Sequence, residues 1–251
     1  MSSKIALITG GNRGLGKDAA LALAAKGIAV VITYNTNKAE AEAVVAEIER
    51  AGQKAAALQL NVAEISGFDS FFGQLKSTLE NTFNAPHFDF LINNAGAGFF
   101  AGFDQTTEAQ FDELLNLNFK GPYFFTQKAL ALITDGGSIV NLSTSATRVV
   151  LPGFSAYAAM KGALETVTSY LAKELGARGI RANAVLPGAI ETDFAGGVVR
   201  DNADLNGQIA LQTALGRVGK PDDIGSVVAF LCSDDAKWID GQRIEVTGGW
   251  N

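Results

Sequence analysis

Thr9-Gly10-Gly11-Asn12-Arg13-Gly14-Leu15-Gly16 closes the apolar run Lys4–Thr9 and opens the Ala/Leu-rich stretch Leu15–Lys26. The run has the length and composition of a buried strand and the stretch that of a helix, so the glycines occupy a βα turn. In such a turn backbone amides and a helix N-terminus face outward, which suits a pyrophosphate. Gly10 would allow the tight turn, Gly14 the close approach of a phosphate, and Gly16 the packing of helix on strand, with Asn12, Arg13 and Leu15 between them. A rival reading shares these residues, because Gly11-x4-Gly16-Lys17-Asp18 falls one residue short of a P-loop. The missing residue is the hydroxyl that ligates Mg²⁺. Asp18 in its place would put negative charge among phosphates.

Outward from this turn the chain alternates. Ile28–Thr33, Phe88–Asn93, Ser138–Ser143, Ile180–Leu186 and Arg243–Thr247 read as further strands. Helical composition fills Lys38–Ala51, Ser66–Asn81, Glu108–Ile133 and Ala156–Ala177. Strand–helix alternation predicts βαβ units and a parallel sheet covered on both faces. The expected fold is α/β, one Rossmann-type doubly wound domain over residues 1–251 with about seven strands. No long linker, charge block or internal repeat divides it.

The composition excludes much else. With one cysteine, Cys232, and one histidine, His87, neither a disulfide framework nor a Cys/His metal cluster is available, and no metal site is expected. The charge balance of 20 basic against 26 acidic residues argues against nucleic acid as a partner. No segment approaches the roughly 20 apolar residues that span a bilayer, and the apolar N-terminal stretch is too short for a signal peptide. A soluble cytoplasmic protein is expected. His87 reads as a loop residue and Cys232 as a buried small hydrophobe.

The end of the second strand bears on the cofactor. An acid is expected there for a ribose 2′-hydroxyl, yet the stretch reads Tyr34-Asn35-Thr36-Asn37-Lys38, and the first acid is Glu40. Arg13 and Lys38, helped by Asn35 and Thr36, would instead meet a 2′-phosphate, which favours NADP(H) over NAD(H). Tyr157-x3-Lys161 puts a phenol and an ammonium on one helix face, an arrangement expected to lower the phenol pKa and ready it for proton transfer. Tyr34-x3-Lys38 has the same spacing, so placement rather than spacing separates the two. Tyr34 ends a strand beside the expected adenosine site, whereas Tyr157 follows a hydroxyl-rich strand.

These features, with Asn93-Asn94-Ala95-Gly96, Asn118, Pro187-Gly188 and the closing stretch Gly216–Gly219 through Pro221–Ile224 to Gly248-Gly249, resemble the short-chain dehydrogenases/reductases of compact form. The resemblance runs nearly end to end, and 3-oxoacyl-carrier-protein reductases are among the nearest relatives. It implies Tyr157 as general acid, Lys161 on the nicotinamide ribose and Asn118 in a water relay. It implies Asn94, Ala95 and Gly96 along the adenosine side, and Pro187, Gly188, Ile190 and Thr192 at the nicotinamide end. Where the family has a serine this chain has Thr144, flanked by Ser143 and Ser145. Where the family usually has Asp-Val near the adenine it has Asn61-Val62.

The expected activity is reversible reduction of an apolar or acyl-bearing small-molecule carbonyl, 3-oxoacyl reductase-like, under a lid over residues 191–207 hinged at Gly196-Gly197. Phe99, Phe100, Phe103, Phe154 and Phe194 are candidates for its apolar lining. The alternatives are a non-catalytic dinucleotide-binding sensor and an extended-form nucleotide-sugar epimerase. The short chain after Arg243–Thr247 argues against the epimerase. Relatives imply a homo-oligomer, a tetramer paired through Glu108–Ile133, Ala156–Ala177 and the C-terminal strand region.

Overall fold

The computed structural model describes residues 4–250. Its strands are β1 (Ile5–Ile8), β2 (Ala29–Tyr34), β3 (Ala55–Gln59), β4 (Phe88–Asn93), β5 (Ile133–Leu142), β6 (Arg181–Pro187) and β7 (Arg243–Val246). They form one sheet in the order β3-β2-β1-β4-β5-β6-β7, and every pairing is parallel. The helices are α1 (Gly14–Ala25), α2 (Lys38–Arg50), α3 (Phe68–Thr78), α4 (Glu108–Leu115), α5 (Gly121–Ala129), α6 (Ser155–Leu175), α7 (Val198–Asp201), α8 (Ala203–Gln212) and α9 (Pro221–Leu231).

β1 shows why the strands read as unbroken apolar runs. Ala6 and Ile8 join the core under α1, α2 and α9, while Ile5 and Leu7 join the core under α3, α5 and α6. Both faces are dry, so both strand parities are apolar. The strand order reverses between β1 and β4, and the turns leaving these two strands carry Thr9–Gly16 and Asn94–Gly96. A doubly wound sheet binds its ligands at such a switch point.

Three sequence expectations need correction. The stretch Glu108–Ile133 is not one helix. A five-residue π-helical turn, Asn116–Lys120, separates α4 from α5, and Ile133 already begins β5. Ala55–Gln59 is a strand that alanine-rich composition concealed, held as the sheet edge by pairing with β2. Finally, β5 starts at Ile133 rather than Ser138, with a register shift in its pairing to β4.

α9 crosses α1 closely because Gly225 has no side chain. A Cβ there would lie 2.0 Å from the Asp18 carboxylate and 2.9 Å from the Asp18 backbone. Gly225→Ala is therefore expected to force the two helices apart and to lower urea-unfolding stability by about 1–3 kcal/mol. Gly162→Ala in α6, where nothing lies within 4 Å of a new Cβ, is expected to be neutral or stabilising in the same assay.

Candidate active site

The glycine turn is held from behind by Asn94. Its Nδ2 donates to the carbonyls of Thr9 and Gly10, each at 2.9 Å, while Thr9 Oγ1 accepts from the amides of Asn94 and Ala95. Gly10 and Gly14 adopt left-handed backbone, at φ of 65° and 53°. A Cβ on Gly16 would lie 2.2 Å from the Gly10 carbonyl oxygen, so only glycine fits there. Arg13 precedes α1 without a side-chain cap, which leaves the first amides of that helix to an outside acceptor.

Beside this turn Asn12, Arg13, Asn35, Thr36, Asn37 and Glu40 line a cavity of about 180 Å³. Asn37 caps α2 through Glu40 N, and Asn12 donates to Glu40 Oε2 at 2.8 Å. Glu40 thus reaches the cavity from inside its helix, a placement its sequence position did not reveal. Lys38 is absent from the lining and pairs instead with Glu42 at 3.3 Å. Tyr34 is buried at the end of β2. Asn61 lines a neighbouring cavity of about 400 Å³ with Asn35 and Gln59. Val62 is buried beneath Gly121. Leu15 packs into the core below the turn.

At the opposite end of the cleft, Tyr157, Lys161, Asn118 and Thr144 converge. Asn118 sits in the π-helical turn, and its Nδ2 donates to the carbonyls of Leu114 and Ala97 at 3.1 and 3.0 Å. Asn118 Oδ1 is buried with no partner. A Cβ on Gly96 would lie 2.8 Å from that oxygen and 3.3 Å from Lys161 Nζ, so the missing side chain keeps both groups facing one space.

Lys161 Nζ donates to the Leu142 carbonyl at 2.8 Å and lies 5.8 Å from the Tyr157 ring centre. Burial lowers the lysine to about 8. Tyr157 is also buried, and burial raises its phenol above the ordinary value, opposed by a hydrogen bond with the Thr144 side chain. The i, i+4 spacing predicts a lowered phenol; burial instead raises it, and the group that opposes burial is Thr144 rather than Lys161. Thr144 faces Tyr157, whereas Ser143 turns its hydroxyl to Glu165 and Ser145 is buried.

Pro187 ends β6, and Gly188 follows it where a Cβ would be tight, 3.1 Å from Thr247 Cα. Ile190 packs on the core and bridges to Gly219. Thr192 lies near Gly14 and accepts a hydrogen bond from the Phe194 amide. The Phe194 ring rests 5.3 Å from the Tyr157 ring and directly over Gly98. Phe154 stands 6.4 Å from Tyr157 and 6.0 Å from Phe100, and Phe99 packs in the same small cluster. Phe103 is 87% exposed and has no part in it. Sequence reasoning passed over Gly98 and Glu165. A glycine next to Phe99-Phe100 gave no signal, but Glu165 continues the four-residue spacing of Tyr157 and Lys161.

His87 precedes β4, at the end of the strand opposite to Asn93. Cys232 is buried, and burial pushes its thiol up to about 12, which leaves it unreactive.

A lysine whose folded value lies below its unfolded one binds fewer protons when folded. Its penalty is full below pH 8 and fades as pH rises toward 10.5. Without cofactor, the native chain is therefore expected to gain stability relative to Lys161→Met across that window, by up to about 3 kcal/mol. Chemical denaturation at several pH values measures this, and a flat difference would refute it.

The family description enoyl-(acyl carrier protein) reductase matches residues 10–251. An uncharacterized oxidoreductase of Methylorubrum extorquens is 38% identical over 249 residues, covering 99% of this chain and 98% of the relative. An NADPH-dependent aldehyde reductase-like chloroplastic protein of Arabidopsis thaliana is 36% identical, covering 100% and 95%. The crystal structure of the angucycline C-6 ketoreductase LanV with bound NADP superposes with a TM-score of 0.93 at 34% identity, covering 98% of this chain and 95% of that one. With the sheet order, the glycine turn and these matches in agreement, the chain belongs to the short-chain dehydrogenase/reductase family of oxidoreductases.

Proposed function

We propose that this protein reduces a ketone or aldehyde to an alcohol with NADPH, reversibly, and that its substrate is an apolar or acyl-bearing carbonyl compound. The observation that carries the reading is the convergence of Tyr157, Thr144, Lys161 and the unpartnered Asn118 Oδ1 around Gly96. The residues fit the dinucleotide. The Gly10–Gly16 turn and the uncapped start of α1 suit its pyrophosphate. Arg13, Asn35, Thr36 and Asn37 offer donors and a cation to a 2′-phosphate. Glu40, in the same cavity, is tied to Asn12. Asn61, Val62, Asn94, Ala95 and Gly96 would border the adenosine, and Pro187, Gly188, Ile190 and Thr192 the nicotinamide.

When bound, the cofactor supplies the hydride. Tyr157 gives its phenolic proton to the carbonyl oxygen, and burial keeps that proton in place at neutral pH. The Thr144 hydroxyl donates a hydrogen bond to the same oxygen. Lys161, its ammonium aimed at the space above Gly96, holds the ribose and supports the phenol. Asn118 Oδ1 accepts from a water that returns the proton through the lysine. The segment 191–207 acts as the lid. Phe194 swings off Tyr157 to admit the carbonyl, and Phe99, Phe100 and Phe154 meet the apolar part of the substrate.

NADPH consumption, followed with a panel of apolar ketones, aldehydes and 3-oxoacyl thioesters, tests this directly. Turnover is expected to be faster with NADPH than with NADH, and Tyr157→Phe is expected to lower it at least about 100-fold. Dinucleotide binding without turnover on any carbonyl would favour a sensor, and full activity of Tyr157→Phe would remove the mechanism.

The same reading takes the chain as a homotetramer. Phe111 on α4, Tyr123 and Phe124 on α5 and Tyr170 on α6 expose aromatic surface that a second copy would cover. A solution mass of four chains is expected from light scattering, and a monomer at micromolar concentration would refute it.

A further inference from the structure

Glu165 carries a carboxylate that is 3% exposed, on a helix whose other buried charge is Lys161. A buried carboxylate is costly unless its oxygens are satisfied, and here both are. Ser143 Oγ donates to Oε1 at 2.7 Å. Thr147 Oγ1 lies 2.7 Å from the same oxygen and 2.9 Å from the Thr144 carbonyl, one proton between two acceptors. An Arg148 guanidinium nitrogen donates to Oε2 at 2.8 Å, and Arg243 Nε stands 3.6 Å from it. The residues gripped are those immediately before Thr144 and at the far end of the turn that Thr144 caps. Thr144 itself shares no hydrogen bond with Glu165. Its carbonyl and hydroxyl face Thr147 and Ala146 within the turn, and its side chain meets Tyr157.

From this clamp we infer that Glu165 is a positioning residue for the proposed reduction, fixing the turn Ser143–Arg148 so that the Thr144 hydroxyl points at Tyr157 and the substrate oxygen. The inference rests on the catalytic reading above. A simple core role would not need a charge. An apolar side chain would fill the same space without gathering two hydroxyls and two guanidinium groups from the turn Ser143–Arg148 and from β7. The turn's own hydrogen bonds, Arg148 N to the Ser145 carbonyl at 2.7 Å and Ala146 N to Thr144 Oγ1 at 3.2 Å, set its local shape. Among the side-chain bonds, Glu165 is what chiefly ties it to α6, since the other ion pair of Arg148, to Glu245, is 3.7 Å long.

A double-mutant cycle with Thr144→Ala separates this from general stabilisation. Glu165→Leu is expected to lower kcat about tenfold, the size of loss a misplaced hydroxyl produces, with NADPH affinity unchanged within about twofold. Glu165→Gln keeps an acceptor for the two hydroxyls and is expected to recover most of the loss. In the Thr144→Ala background Glu165→Leu is expected to change kcat by less than about twofold, because there is no hydroxyl left to aim. Equal losses in both backgrounds, or no loss in the first, overturn the inference. Should Glu165→Leu fail to fold, Thr147→Val removes one arm of the clamp and runs the same cycle with the same readings. If the unmutated protein consumes NADPH with no carbonyl, the catalytic reading fails on its own. The crystal structure of Glu165→Leu, or of Thr147→Val, then decides the positioning: Thr144 Oγ1 still within hydrogen-bond reach of Tyr157 Oη would overturn it, and a displaced turn would support it.

Discussion

Three successive residues at the end of β5 are stitched to one face of α6. The Leu142 carbonyl accepts from Lys161, the Ser143 hydroxyl donates to Glu165, and the Thr144 side chain meets Tyr157. The three helix residues are spaced by four and so lie in line along the helix. This seam sets where a phenol, an ammonium and a hydroxyl stand relative to one another. Burial gives each contact its weight. In water such bonds are exchanged for bonds to solvent, but here a lost partner leaves a buried polar group unsatisfied. The seam also explains the opposed shifts of its two titratable groups. Burial disfavours charge on both, so the phenol moves up and the ammonium down, toward a state in which neither is ionised. A bound anion or developing negative charge near Gly96 would reverse that preference for the lysine.

The glycine turn depends on a different constraint, the shortage of space. Gly16 cannot accept a Cβ because the Gly10 carbonyl and the Asn94 amide already fill that position. Asn94 spends its Nδ2 on the turn's carbonyls, so it braces the turn from β4. The ends of β1 and β4 are thereby locked together at the point where the strand order reverses. Seam and turn leave β5 and β1 of one sheet with β4 between them, which fixes the distance between the two ends of the cleft.

Features carried by neighbouring residues were legible in the sequence. The glycine turn, Tyr157-x3-Lys161 and the strands with β-branched residues needed only local spacing. β3 was hidden because Ala55, Ala56 and Ala57 carry no strand preference, and pairing with β2 decides their conformation. The π-helical turn was hidden because apolar periodicity continues across it, and only the Gly121-Pro122 pair marks a break. Lys38 looked like a phosphate ligand by type and position, but its side chain finds Glu42 one turn along its own helix. The rest, Phe194 over Gly98 and Glu165 under the Thr144 turn, joins residues far apart in the chain. Even the phenol shift had the wrong sign when read locally, since burial is a property of the packed molecule.

The segment that covers Tyr157 is held lightly. Asp193 pairs with Arg13 at 3.7 Å between two largely exposed side chains, which is worth about 0–1 kcal/mol. The Phe194–Tyr157 ring contact adds roughly 0.5–1.5 kcal/mol. Against these stands Ala195, at φ of 50° in a left-handed region that costs a side-chain-bearing residue about 1–2 kcal/mol. Gly196 and Gly197 take the same backbone region without penalty and give the segment somewhere to bend. These contacts and this strain are of one size. Asp193 and Phe194 are also neighbours in sequence. The residue that touches the glycine loop and the one that covers the phenol are thus joined through one peptide bond, and Arg200 pairs with the same Asp193 carboxylate.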